Sequence, residues 1–194
     1  MDIPPMGEIV LGISGASGAP YAIRLAEIFA QRGIQFRIVA SDAARLTLAH
    51  EADSSPEKIA EQFGGFLEDN TNIAAKSASG SAKIDAVVII PCSGTTLGKI
   101  AAGIGDNLIT RSAIVALKER RKLILVPREA PYATVHLENM AKISSWGAVI
   151  IPASPGFYTH PKTIDDMVDF IVARVLDQIG IDNEVSTRWS GEEI

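Results

Sequence analysis

Several short stretches of this chain gather hydroxyl, guanidinium, ammonium and carboxylate groups at the ends of apolar runs. The densest is Pro127-Arg128-Glu129-Ala130-Pro131-Tyr132, which sets a cation and an anion directly after the run Leu123–Val126, between two prolines that restrict the backbone. A surface ion pair is the plain alternative for Arg128 and Glu129. Gly15-Ala16-Ser17-Gly18 puts small residues between an apolar run and a helix start, where free backbone N–H groups and the helix dipole favour an anion or a polar ring edge. Such turns also serve packing alone, and the dinucleotide fingerprint is absent. Pro91-Cys92-Ser93-Gly94-Thr95-Thr96-Leu97 repeats the arrangement, with hydroxyls at Ser93, Thr95 and Thr96 that could equally be ordinary helix caps. Pro152-Ala153-Ser154-Pro155-Gly156-Phe157-Tyr158 is a stiff loop that would bring Tyr158 to the same edge, as a ligand group or as packing. Arg174 lies beside the apolar stripe of the last helix, able to reach a phosphate or to snorkel to water. Lys118 opens the run Lys118-Glu119-Arg120-Arg121-Lys122, which from composition is a solvated helix end.

The elements that must position these groups follow from periodicity. Glu8–Ser14 and Phe36–Ala40 read as strands, each followed by a helix: one with Pro20 in its first turn and Gly33 just past its end, the other opening at Ser41-Asp42 and running to about His50. Ser55-Pro56 opens a further short helix. Ala86–Ile90, Leu123–Val126 and Ala148–Ile151 are continuous apolar runs, suited to strands buried on both faces, and each stops at a proline: 91, 127 or 152. Helical patterns cover about 95–102, 108–119, 135–145 and 164–179. Residues 70–83, rich in small side chains and without period, read as an exposed or ligand-covering loop. Alternating strands and helices predict a Rossmann-like (flavodoxin-like) α/β three-layer sandwich around a mostly parallel sheet, whose ligand lies beyond the carboxyl ends of the strands.

Bulk composition narrows the function. At 194 residues one domain spanning 1–194 is expected. With 47% hydrophobic and 21% charged residues and no long apolar run, the chain reads as globular and not membrane-inserted. The start Met1–Met6 has no secretory pattern, which points to the cytoplasm. One Cys and three scattered His offer neither a disulfide nor metal-ligand spacing, so no metal is expected. A net charge of −5 gives no broad attraction for nucleic acid, and an anionic ligand would need a local cationic cluster. The polar tail, about 180–194, carries Arg188-Trp189 and is expected to pack on a neighbouring subunit.

The stretches 12–18, Ala116–Arg121, Leu125–Pro131, His136–Met140, Pro155–Tyr158 and Val172–Leu176 together resemble the UbiX-type flavin prenyltransferases, in order, from about residue 8 to about 189. The resemblance implies transfer of a dimethylallyl group from dimethylallyl phosphate to N5 and C6 of reduced FMN, without a metal. The product would be prenylated FMN, a cofactor for a UbiD-type decarboxylase. By motif, Gly15, Ala16, Ser17, Ser41, Ser93, Gly94, Thr95, Thr96 and Arg128 would hold FMN. Lys118, Arg111, Tyr158 and Arg174 would bind the prenyl phosphate, with Glu129, Ser17 and Glu51 as catalytic groups and Trp189 closing over the prenyl chain. In the family such a Lys118 reaches a site shared between subunits, and relatives form dodecamers, so a homo-oligomer, a dodecamer, is expected.

Gly94 and the 70–83 loop depart from the family pattern without removing a site. Two rival readings stand beside it: a flavin-dependent decarboxylase of a cysteine-containing substrate, and a non-catalytic flavin carrier. The first resembles a motif with an Asn that is missing from Pro152–Tyr158; the second has no need of Glu129, Lys118 and Arg174 together.

Overall fold

Alternating apolar runs and helices resolve into a six-stranded, all-parallel sheet in the computed structural model, which describes residues 7–189 and 191. The expectation drawn from Met1–Met6 and the end of the tail beyond residue 191 lie outside the described residues. The strands are β1 (Glu8–Ile13), β2 (Phe36–Ala40), β3 (Phe66–Glu68), β4 (Ile84–Cys92), β5 (Lys122–Pro127) and β6 (Val149–Ile150). The helices are α1 (Ala19–Gln31), α2 (Asp42–Ala52), α3 (Pro56–Phe63), α4 (Gly94–Ala101), α5 (Leu108–Lys118), α6 (Thr134–Ser145) and α7 (Ile164–Ile179). The order across the sheet is β3-β2-β1-β4-β5-β6, so the chain winds outward from β1 and then, in the other direction, from β4.

Alternation along each strand builds two cores. Ile9, Leu11 and Ile13 face α1, α2, α3 and α7, whereas Val10, Val39, Val87 and Ile89 face α4, α5 and α6. Burial on both faces explains the continuous apolar runs, and each fully buried Leu or Ile contributes on the order of 2 kcal/mol of transfer free energy.

The structure departs from the sequence reading in places and adds to it in others. β3 escapes sequence reading because three residues carry no period; it is held by side chains, with Arg37 stacked 4.7 Å from the Phe66 ring centroid and bonded to Glu68 at 2.8 Å. The 70–83 segment is largely exposed, one of the two readings the sequence left open. It is the β3–β4 crossover: Asn70 accepts the Leu108 and Ile109 N–H groups, a 3-10 turn at Lys76–Ala78 buries Ser77, and Ala75, Ala78 and Ala82 pack into the second core. Small residues let this crossover lie flat where a helix would stand. β4 and β5 run through Pro91 and Pro127 instead of stopping there, with a register shift between Ile89 and Cys92. Residues 181–189 fold back on α7 of their own chain, with Ile181 and Asn183 buried.

Candidate functional site

Because every strand is parallel, all carboxyl ends reach one edge, and the helices that follow β1, β2, β4 and β5 start there. β1 and β4 are neighbours whose chains leave in opposite directions, which opens a crevice between the turns after them. Those turns are laced together by Ser14, whose hydroxyl donates to the Pro91 carbonyl at 2.9 Å and accepts from the Ser93 N–H at 2.7 Å. Sequence reasoning passed over Ser14; the signal was a polar residue closing an apolar run just before a glycine turn.

The first turn is shaped by glycine. A Cβ on Gly15 would lie 2.3 Å from the Ala43 Cβ, so the β1 turn and the start of α2 touch backbone to backbone. Gly18 caps α1 at φ 131°, a conformation that disfavours any side chain. The N–H groups of Gly18 and Ala19 donate to Glu51 Oε2 at 2.8 and 2.9 Å, so the carboxylate at the end of α2 closes the start of α1. Partial burial pushes the Glu51 carboxyl up, but the two N–H groups, the Ser17 hydroxyl and the Arg128 charge outweigh it and hold the group below its ordinary value. Arg128 in turn donates from Nε to the Ser17 carbonyl at 3.3 Å.

Ser41 and Ser93 are N-caps, as the plain reading allowed: Ser41 accepts from Ala44 N–H at 3.1 Å, and Ser93 accepts from Thr96 N–H at 3.2 Å while donating to Thr96 Oγ1 at 3.1 Å. Capping and ligand binding are compatible, because the first-turn N–H groups of α4 have no acceptor within their helix and open toward the crevice. At Gly94 a Cβ would come within 2.6 Å of His136 Nε2, so the departure from the family pattern has a local cause: α6 seats its His136 ring there. That ring's Nδ1 accepts the Ala133 N–H at 3.2 Å, capping α6 beside the Arg128–Glu129 loop. Arg128 and Glu129 are both half-buried, and among the described residues no ion pair joins them. Glu129 lies near enough to Tyr132 to add to the upward shift that burial gives the phenol. Cys92, buried at the end of β4, has its thiol pushed up to about 12 and so stays protonated.

A second cluster stands where α7 and the tail meet the β6 loop. Tyr158 packs edge-to-face on Phe170 and on Trp189, with centroids 5.8 and 5.9 Å apart, and together with Arg174 and Arg188 they line a cavity of about 220 Å³. Arg174 bonds to Asp177, one turn further along α7. Two expected members stand apart within the single chain. Lys118 pairs with Glu119 at 2.8 Å and lies beside Gly80, at the edge where β4 and β5 begin, opposite the crevice. Arg111, in the first turns of α5, keeps a buried Nε without a hydrogen-bond partner among the described residues and does not line the Tyr158 cavity.

With this geometry in place, the relatives can be compared. Residues 5–176 match the family model described as Flavoprotein. The chain is 51% identical over 182 residues to a flavin prenyltransferase UbiX from Thermoplasma acidophilum, spanning 94% of this chain and 99% of the relative. Its fold is similar, with a TM-score of 0.92 at 36% identity and 96% and 99% coverage of the two chains, to the crystal structure of AnUbiX in complex with FMN and dimethylallyl pyrophosphate. It is likewise similar, with a TM-score of 0.91 at 41% identity and 95% and 100% coverage, to a dodecameric FMN-dependent UbiX-like decarboxylase from Escherichia coli O157:H7.

Proposed function

The chain belongs to the flavoprotein family and, within it, to the UbiX-type flavin prenyltransferases, and from that premise we propose how its residues share the reaction. It is an enzyme that joins a dimethylallyl group to FMN. The observation that carries the assignment of residues is the meeting of the β1, β4 and β5 turns at the switch point; a separate Tyr158–Arg174–Trp189 cavity has the size for a small ester. The site suits FMN: the Gly15 and Gly18 turn lets backbone approach closely, and the α4 N-terminus offers N–H groups to an acceptor.

Reduced FMN, when bound, supplies the nucleophilic N5 and C6 to which the dimethylallyl group is joined, giving prenylated FMN. Gly15, Ala16, Ser17, Ser41, Ser93, Gly94, Thr95, Thr96 and Arg128 would hold it. Tyr158 and Arg174 would bind the dimethylallyl phosphate and draw charge off the departing oxygen, the task that otherwise needs a metal. Trp189 would face the allylic chain, where an aromatic face steadies developing positive charge. Glu129 would accept and return a proton at the ring position being alkylated, and Ser17 would orient the proton near N5. Glu51 would serve as a positioning residue, since both of its described bonds go to the α1 start.

Lys118 and Arg111 would complete the phosphate site from neighbouring protomers. Support comes from Lys118 facing away from its own crevice and from the dodecameric relative. A homododecamer, a cytoplasmic location and a UbiD-type decarboxylase as recipient complete the proposal. No helix among the described residues is long and apolar enough to cross a membrane.

Anaerobic incubation with reduced FMN and dimethylallyl phosphate, followed by mass analysis of the released flavin, tests the activity. A gain of one dimethylallyl unit is expected; an unchanged flavin with both the mono- and the diphosphate ester would overturn it.

A further inference from the structure

Asp177 takes no part in the roles described so far, yet more bonds converge on it than on any residue of the Tyr158 cavity. Its carboxylate receives Arg174 from one turn back on α7. It receives both terminal nitrogens of Arg188 from the tail, Nη2 to Oδ1 at 2.7 Å and Nη1 to Oδ2 at 3.3 Å. It also receives Asn183 Nδ2 at 2.9 Å, and Asn183 is itself buried. Arg188 adds a bond to the Asn183 carbonyl at 3.1 Å. Burial pushes the Asp177 carboxyl up, but Arg188, Arg174 and Asn183 overcome it and hold the group ionised, below its ordinary value.

The next residue along the tail is Trp189, whose ring meets Tyr158 edge-to-face and forms one wall of the cavity. We propose that Asp177 and Arg188 form a latch that holds residues 184–189 over the cavity, making Asp177 a positioning residue for Trp189 and Arg174 and making Arg188 the counter-charge that lets a phosphate ester sit beside a carboxylate.

The charges explain why both partners are needed. A phosphate that takes the Arg174 guanidinium must approach Asp177, and a lone carboxylate there would repel it. The bidentate Arg188 neutralises Asp177 and leaves the charge of Arg174 for the ligand. Arg188 also fixes the tail as a wall of the cavity, since a bidentate pair sets direction as well as distance. The FMN turns at Gly15, Ser41 and Ser93 are not part of this network, so the latch acts on the ester and not on the flavin.

The proposal rests on the prenyltransferase reading and is tested so that the two fail separately. Asp177→Asn, Arg188→Ala and the double variant are compared with the wild type for KM and kcat toward dimethylallyl phosphate and for FMN affinity. A parallel set in a Trp146→Phe background reads Trp189 fluorescence and its quenching by iodide without any turnover. Each single variant is expected to raise KM about tenfold, to leave FMN affinity within about twofold, and to expose Trp189 to quencher; the double variant should be no worse than either single, as coupled residues are. Asp177→Glu, which keeps the carboxylate, should recover part of the KM. A wild type that leaves flavin unprenylated would sink the functional reading alone, because quenching still reports the latch. Unchanged quenching in Asp177→Asn, additive losses, or FMN affinity falling in step with KM would each overturn the latch.

Discussion

Replacing Glu51 by Ala separates a chemical role from a positioning one, because the structure fixes how large the structural effect should be. The carboxylate accepts two N–H bonds at the start of α1, from Gly18 at 2.8 Å and Ala19 at 2.9 Å. Losing a side-chain acceptor at a helix start costs about 1 kcal/mol. The charge adds about 0.3–1 kcal/mol against the helix dipole, at the lower end for a residue as exposed as this one. For a chain of this size each kcal/mol lowers Tm by about 2–4 °C, so Glu51→Ala should melt about 3–5 °C below wild type. Because the capped residues continue from Gly15-Ala16-Ser17, FMN affinity should fall about fivefold, the equivalent of 1 kcal/mol. The pH dependence has a definite sign. The folded carboxyl lies below its ordinary value of 4.5, so the contribution is present above that pH and is lost as pH falls through the folded value. Thermal melts of wild type and Glu51→Gln should therefore differ at neutral pH and converge in acid, with flavin titration run alongside. A Glu51→Ala protein with unchanged Tm and FMN affinity but collapsed turnover would refute the positioning argument and return Glu51 to the chemistry.

Gly15→Ala forces a Cβ to 2.3 Å from the Ala43 Cβ, where carbon atoms pack at about 3.5–4.0 Å, so the β1 turn or the Ser41 end of α2 must move. A stability loss of about 1–3 kcal/mol and weakened FMN binding are expected by thermal melt and flavin titration; an unperturbed protein would mean the turn is looser than it looks. Glu129→Gln should keep FMN affinity and lower kcat about 100-fold or more, with flavin alkylated at N5 alone building up in the mass spectrum; full turnover would remove Glu129 from its role. Tyr158→Phe keeps the ring contacts with Phe170 and Trp189 and deletes only the hydroxyl, so KM for the ester should rise by about tenfold while flavin binding holds. Equal loss of both would make Tyr158 a packing residue.

What the chain discloses on its own divides by the range of the interactions involved. The turns after β1, β4 and β5 are legible because each is local: an apolar run, a glycine or proline, then a capping residue, all within ten positions. Ser41 and Ser93 were legible as caps for the same reason, and the structure shows both in that geometry. β3 was hidden because its three residues owe their place to Arg37, which lies 29 residues away from Phe66 in the chain but within ring contact in space. Ser14 and His136 were passed over because their partners, Pro91, Ser93 and the space above Gly94, come from distant segments. Small residues without period left the 70–83 crossover open between an exposed and a ligand-covering loop, because they give no sign of which surface they lie against.

The same division governs Lys118. Within ten residues it is an unremarked charge at a helix end, and within one folded chain it stands at the far edge of the sheet, paired with Glu119. α5 runs antiparallel to the strands, so no rotamer of a side chain reaching about 6 Å can carry the ammonium along a helix of 11 residues, about 16 Å, back to the crevice of its own chain. A role for Lys118 in phosphate binding thus entails a second protomer whose crevice opens toward this edge, and the active unit is then larger than the fold. Arg111 sharpens the point, since its Nε is buried without a partner among the described residues, a cost that an acceptor brought by a neighbouring protomer or by a bound anion would relieve. If catalysis draws on these two cations, dilution to the monomer should abolish turnover while the crevice built by β1, β2, β4 and β5 still binds flavin; turnover that survived in monomers would place the whole phosphate site within Tyr158, Arg174 and the tail.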